Sequence, residues 1–527
     1  MARNVYCRFR LCGTLVAQSP LHVGGHGEDV DTDLPLARDG AGQWYVPGTS
    51  LAGALRSVAQ RLFDPVLVED VWGYQEDDDG HASFVIVEDG TIEDADTLAV
   101  EIRDHVGIDR EFGCAAEHIK YDRAILPRGT RLRLELTVDV EHPGKRNFAL
   151  SMLATLKEAL ETGKVRLGAA KTRGLGRIKL EKGQLTEQVL STRQGILAWL
   201  ERPSGVPVSS ADIDAARQEK RPKESPRLKL TIHWKPTGPL MVKAGFDGIA
   251  SDMLPLVSGI DGQVSLVLPG SSIKGALRFQ AERIVRTLKG IYHPSWLSED
   301  GKKKFLDALD VPLINELMGR RGEKNVQPKK KGKNQDEECE WLPGLGALSV
   351  ADCYGKRRLS RGAWQAIQAA DNDQQLRQAL DKAGLGQWSQ AYHVAIDRWL
   401  GSAAESFLYT VLEPHVAEWE PIILDLDLRR LPSKPYDLRC PAVALLFLVL
   451  RDLGRGRIPL GFATHRGMGG VVVEQVEIEG QDLPPCLHGL EKLSLPQGQP
   501  SHLPSELHQR LAKAWQDWTK NCQAVSS

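Results

Sequence analysis

The sequence predicts an α+β fold in two tandem copies of one β-α-β-β-α-β module, each copy interrupted by a long excursion, with a helical tail after the second. Three observations predict it. Four sequence blocks recur in the same order in both halves. Within each half, apolar spacing switches between the strand and helix periods in that order. Gly (50) and Pro (29) are plentiful while aromatics are 6%, which suits short strands joined by many turns.

Leu34-Pro35-Leu36 recurs as Leu254-Pro255-Leu256, and Val46-Pro47-Gly48-Thr49-Ser50-Leu51-Ala52-Gly53-Ala54-Leu55-Arg56 as Leu268-Pro269-Gly270-Ser271-Ser272-Ile273-Lys274-Gly275-Ala276-Leu277-Arg278. His105-Val106-Gly107-Ile108-Asp109-Arg110 answers to His393-Val394-Ala395-Ile396-Asp397-Arg398, and Arg173-Gly174-Leu175-Gly176 to Arg466-Gly467-Met468-Gly469. The spacing between copies is 222 at Pro47/Pro269, 288 at Asp109/Asp397 and 293 at Gly174/Gly467, so the second copy gained residues between the second and third blocks. Module boundaries follow: 1–185, a polar linker 186–226, 227–480 with an insertion near 288–345, and a tail 481–527. The stretch from Gly319 to Glu340, with Lys329-Lys330-Lys331 and Asp336-Glu337-Glu338, reads as a solvated loop or an RNA-contacting arm.

In the first copy Phe9–Ala17 reads as a strand, Leu21–Gly27 as a Gly-rich loop and Trp44–Val46 as an extended run into Pro47-Gly48. Thr49 or Ser50 then opens a helix whose buried stripe is Leu51, Leu55, Val58 and Leu62. Strands are expected at Ser83–Glu88 and Arg131–Val140, a helix at Phe148–Thr162 and a closing strand at Arg177–Leu180. The second copy answers with a helix at Pro441–Leu453 and a strand at Gly470–Ile478. This order is the ferredoxin-like pattern. Leu507, Leu511, Ala514, Trp515 and Trp518 give the tail a helical docking stripe.

Lys+Arg (67) and Asp+Glu (69) nearly balance, so net charge points to no polyanion; any nucleic-acid surface must come from local clustering. Cys7, Cys12, Cys114, Cys339, Cys353, Cys440, Cys486 and Cys522 form no C-x-x-C pair, which argues against structural zinc and reads as free thiols of a reducing cytoplasm. The most apolar run, Ala442–Leu450, is too short to span a bilayer, and a mean hydropathy of -0.29 suits a chain with ample core.

Leu21-His22-Val23-Gly24-Gly25, Asp33-Leu34-Pro35-Leu36-Ala37-Arg38-Asp39, the Pro-Gly-Thr-Ser helix, Ile108-Asp109-Arg110 and the run Gly168–Gly176 resemble the RAMP superfamily, in particular backbone subunits of type III CRISPR effectors in their tandem, type III-D-like form. The resemblance implies a filament of modules along a CRISPR guide RNA, built with further RAMP subunits and a large signature subunit. It implies a thumb hairpin in each module, and loop aspartates that cut complementary target RNA with a divalent metal, leaving 2′,3′-cyclic phosphate and 5′-hydroxyl ends.

RNA carries its own nucleophile, so cleavage needs in-line geometry, a base for the 2′-hydroxyl proton and charge stabilisation. The family position, two residues before the loop proline, selects Asp33, with Asp29 and Asp31 able to share a metal (Mg2+ or Mn2+) with it. In the second copy Asp252 stands three residues before Pro255, and Asp247 is the alternative. Guide phosphates are expected at the helix starts, through Thr49, Ser50, Ser271 and Ser272 with Arg56, Lys274 and Arg278, and at the Gly-rich loops, through Lys171, Arg173, His465 and Arg466. Asp109-Arg110 and Asp397-Arg398 mark the thumbs, as an ion pair bracing a hairpin or as RNA contacts; Tyr121 and Tyr409 stack on bases or pack. His22 and His26 read as structural. Two further readings are a non-catalytic guide-binding scaffold and a guide-processing endonuclease acting alone.

Overall fold

The computed structural model describes residues 4–523 except 26–31, 77–78, 94–97, 111–112, 203, 221, 224, 246–247, 291–308, 321–343, 417 and 435. The chain divides into two compact units. One takes Met1–Ile102, Arg123–Lys171 and Leu175–Glu224; the other takes Arg103–Asp122, Thr172–Gly174 and Ser225–Ser527. Two pieces of the first sequence repeat thus belong to the second unit.

In the first repeat the elements are β1 (Cys7–Ala17), α1 (Gly48–Leu62), β2 (Val85–Val87), the hairpin strands β3 (Glu101–Ile108) and β4 (Ala115–Ile125), β5 (Arg131–Val140), α2 (Pro143–Glu161), β6 (Arg173–Gly174) and β7 (Ile178–Val189), of which most of the hairpin and all of β6 belong to the second unit. Its sheet runs β7-β1-β5-β2, antiparallel, with Val206–Pro207 on the β7 edge: the ferredoxin-like order. The strand period produces it. Leu132, Leu134, Leu136, Val138 and Val140 of β5 are buried, as are Cys7, Phe9, Leu11 and Leu15 of β1, and α1 and α2 join the same core. On the other face cross-strand ion pairs follow the register, as in Arg8–Asp139 at 2.6 Å. Helix α2 begins five residues earlier than Phe148 because Pro143 suits the first helical position.

Residues 186–226 are not a bare linker. Thr192 and Ser209 cap helices Arg193–Glu201 and Ser210–Glu219, Ala216 is fully buried, and Ser151 donates to the Lys220 carbonyl at 2.6 Å. The polar surface of this segment hid a small docking face.

The second unit repeats the plan with β8 (Arg227–Pro236), α3 (Gly270–Lys289), β9 (Leu348–Ala351), the hairpin β10 (Ser389–Ile396) and β11 (Ala403–Glu413), β12 (Ile422–Asp427), α4 (Arg439–Gly454), β13 (Val471–Gln481) and β14 (Lys492–Pro496). Its sheet runs β6-β9-β12-β8-β13-β14; β6, from the first repeat, pairs in parallel with Val350 and Ala351. Helix α5 (Ser505–Gln523) packs Leu507, Leu511, Ala514, Trp515 and Trp518 against this core. Residues 321–343, which hold the lysine block, lie outside the described residues. No helix among the described residues is long and apolar enough to cross a membrane.

Candidate nucleic-acid interface

The acidic loops are placed by backbone pairing. In the first unit the N–H groups of Leu21, Ala37 and Ala124 donate to the carbonyls of Leu126 (2.9 Å), Val23 (3.0 Å) and Leu34 (3.1 Å). In the second unit those of Leu240, Leu256 and Leu412 donate to Pro414 (3.4 Å), Val242 (2.7 Å) and Met253 (2.9 Å). Loop positions differ by 219 and strand positions by 288 in every pair. The bridges Gly24↔Leu36 and Lys243↔Pro255 keep the same spacing.

Asp33 and Asp252 are therefore counterparts. Matching Leu34-Pro35-Leu36 to Leu254-Pro255-Leu256 by side chain is out of register by one, and the second loop holds no extra residue before its aspartate. The backbone hydrogen bonds and bridges report the register directly, where the likeness of side chains is ambiguous by one residue. The surroundings agree: Thr32 and Ser251 are buried, while the aspartate after each is exposed.

Asp252 is fastened. Its Oδ2 accepts from the Thr410 amide (2.7 Å) and hydroxyl (2.9 Å), and its own amide donates to Thr410 Oγ1 at 3.0 Å. Both bonds fall on Oδ2, which leaves Oδ1 to take a proton. Asp29, Asp31, His26 and Asp247 lie outside the described residues. Among the described residues no group of three or more His, Cys, Asp or Glu side chains could hold a metal ion. The described donors do not make a metal cage.

The helix starts carry their own anions. Gly48 N–H donates to Asp89 Oδ1 at 2.6 Å, and Gly270 N–H to Asp352 Oδ1 at 2.7 Å. A carboxylate thus already sits where a phosphate was expected. Thr49 is exposed; Ser50, Ser271 and Ser272 are half-buried. Lys274 and Arg278 are corrections. Lys274 is buried and donates to the Leu348 carbonyl (2.7 Å), while Arg278 pairs with Glu282 and donates to the Gly319 and Leu309 carbonyls. On a 20-residue helix they fall towards the packed side, and their charge is spent within the fold. Arg56 likewise donates to the Gly73 carbonyl at 2.9 Å.

The Gly-rich loops and the thumbs come together, which sequence had kept apart. Arg173 Nη1 donates to the Tyr121 hydroxyl at 3.2 Å, and Tyr121 stacks on His105 with centroids 5.0 Å apart. In the second repeat Arg466 donates to the Tyr409 hydroxyl, and Tyr409 stacks on His393 at 5.2 Å. Each set is Arg–Tyr–His, with Arg173, His465 and Arg466 exposed and Lys171 half-buried. The two histidines had been quoted in a recurring block without a role; their recurrence beside the tyrosines was the available signal.

Asp109 and Asp397 close the thumb tips. The Asp109 amide donates to the Cys114 carbonyl and the Asp397 amide to Ser402, both at 2.8 Å; Asp397 Oδ1 also accepts from the amides of Trp399 and Leu400. Arg110 pairs with Glu282 of α3 at 2.8 Å, whereas Arg398 is exposed. Further down β3, buried Arg103 bonds Asp352 at 2.5 Å and Ser258 at 2.8 Å. The aspartate that receives the α3 amide is therefore neutralised by a first-repeat arginine inside the second unit.

Against models of known families, the chain matches the RAMP superfamily over residues 14–179 and 255–471. No curated protein matches it. The two matched regions fall on the two ferredoxin-like repeats and cover more than half of the sequence; the chain belongs to the RAMP superfamily.

Proposed function

We propose that the chain is an RNA-guided backbone subunit of a type III CRISPR effector that binds guide RNA and cuts complementary target RNA once per module. Asp33 and Asp252 act as the general bases. The observation that carries this reading is the shared backbone register of these two exposed aspartates. The exposed arginines and stacked tyrosines of the two Arg–Tyr–His sets supply cation and ring faces for phosphate and base.

In each cut the aspartate carboxylate takes the 2′-hydroxyl proton of a target ribose. The 2′-oxygen attacks the adjacent phosphorus, the bond to the 5′-oxygen breaks, and that oxygen picks up a proton from solvent. The products carry a 2′,3′-cyclic phosphate and a 5′-hydroxyl. A divalent ion is part of the proposal only as a requirement to be tested by chelation.

The test is to co-express the chain with its neighbouring effector subunits, identify the RNA that co-purifies, and add complementary RNA with Mg2+ or Mn2+. The expected result is guide RNA of fixed length and two cuts with cyclic-phosphate ends. Guide RNA with no cuts would make the chain a scaffold; cutting of a precursor repeat by the chain alone would make it a processing enzyme.

A further inference from the structure

The two repeats differ at the sheet edge that lies beside each Pro-Gly helix. Strand β9 pairs with β12 as β2 pairs with β5: Leu348↔Leu426 to Val350↔Leu424 answer to Val85↔Val138 to Val87↔Leu136, at constant spacings of 263 and 288. Asp352 and Asp89 keep the first of these spacings, and they accept the opening helix amides of Gly270 and Gly48. The pairs Val257↔Leu266 and Arg38↔Trp44 likewise put Asp39 where the second repeat has Ser258.

On the second unit this edge is occupied. Strand β6 lies along β9, with the Val350 amide donating to the Thr172 carbonyl at 3.3 Å. Arg103 forks between Asp352 Oδ2 (2.5 Å) and Ser258 Oγ (2.8 Å), and Asp352 is 8% exposed. On the first unit the same edge is bare. Strand β2 ends its sheet, Ile86 on it is 49% exposed, and Asp39 and Asp89 are both exposed. Among the described residues no cation pairs with either carboxylate, and Arg38, next to Asp39, stacks on the Trp44 ring at 3.9 Å. An uncovered strand edge is a template for a further strand.

Charge selects what can cover it. Where Arg103 meets one carboxylate and one hydroxyl, the first unit offers a carboxylate at both positions. An uncharged strand laid over them would bury two anions without a counter-charge. The second repeat's own thumb is such a strand: Ala391 stands at the position of Arg103, and β10 and β11 contain no lysine or arginine.

We propose that the edge formed by β2, Asp89 and Asp39 is a docking site for the thumb and Gly-rich loop of another RAMP-type chain, one that carries arginine where this chain's second repeat has Ala391. A second copy of this chain is not the occupant. The inference rests on the reading of the chain as one subunit of a multi-chain effector.

The test uses the full chain, tagged and co-expressed with its neighbouring effector subunits. Ile86→benzoylphenylalanine is photolysed in the complex, and the captured peptide is identified by mass spectrometry. The expected capture is a Gly-rich loop or thumb strand of a different chain with arginine in its thumb. Asp39→Asn with Asp89→Asn keeps the turn and helix acceptors but removes both charges. This double variant should retain about ten-fold less of that chain at unchanged melting temperature, while Asp214→Asn retains the wild-type amount. Sedimentation of the chain alone should be identical for wild type and double variant. Undiminished capture by the double variant overturns the inference, as do Ile86 cross-links to a second copy, cross-links to a chain without a thumb arginine, or no captured chain at all. A captured partner with neither guide RNA nor target cuts overturns the functional reading and leaves the docking site standing.

Discussion

The two repeats share a fold but not a situation. The first repeat's hairpin and Gly-rich loop are built into the second unit. Arg103 is clamped on Asp352 and Ser258, Arg110 on Glu282, and β6 is added to β9. The second repeat's equivalents stand open: Arg398 is exposed, and Trp399, Leu400, Phe407 and Leu408 expose large apolar surface. Ala391 replaces Arg103 there. One repeat shows what a thumb and Gly-rich loop do when seated on a neighbouring module; the other presents the same parts unseated.

The sharpest way to break this comparison is at Arg103. Its ion pair with Asp352 is 3% and 1% exposed at the side chains, so Arg103→Ala leaves a buried carboxylate without its counter-charge. A loss of about 3–5 kcal/mol is expected in denaturant unfolding of the second unit, against little change for Ala391→Gly in the exposed thumb. Next come the paired glycines. A Cβ on Gly174 (φ +100) would fall on the Asp352 carboxylate, whereas one on Gly467 (φ +89) meets nothing within 4 Å. Gly467→Ala therefore pays only backbone strain, about 1 kcal/mol, and Gly174→Ala pays that plus the clash; thermal melting should rank them so.

The smallest effect is a pH slope. Burial lowers the His22 pKa in the fold, so its share of stability is complete above the unfolded value of about 6.5. That share is lost as pH falls below 6.5 towards the lower folded value. His22→Met should flatten the slope of unfolding free energy as pH falls below about 6.5, measured against the wild type. An unchanged slope would show that the imidazole does not carry it.

Much of this was legible from residues alone. Strand β5 was read to its ends because Leu132, Leu134 and Leu136 alternate without interruption, and the start of α5 because five apolar residues keep helical spacing, although the helix runs on past Trp518 to Gln523. The helix Ser210–Glu219 was not, since Ala216 is its one buried position and Ile213 its one large apolar side chain, too little for a helical stripe. The position of Asp252 was misjudged for a physical reason: prolines and leucines look alike in either register, and only the backbone pairs of Met253 and Leu412 show which applies. Lys274 and Arg278 were read as phosphate ligands because charge at a helix start invites it, but sequence does not reveal which way a lysine stem turns on a two-sided helix. The Arg–Tyr–His stacks join residues 52 and 57 apart, and no local pattern announces them.

The measurement that tests the account most directly is a map of target cleavage under single-turnover conditions by complexes carrying Asp33→Ala or Asp252→Ala. Each substitution should remove one cut and leave the other at its wild-type rate. Survival of both cuts in Asp252→Ala, with loss of one in Asp247→Ala, would contradict the shared register and the pairing of the two sites.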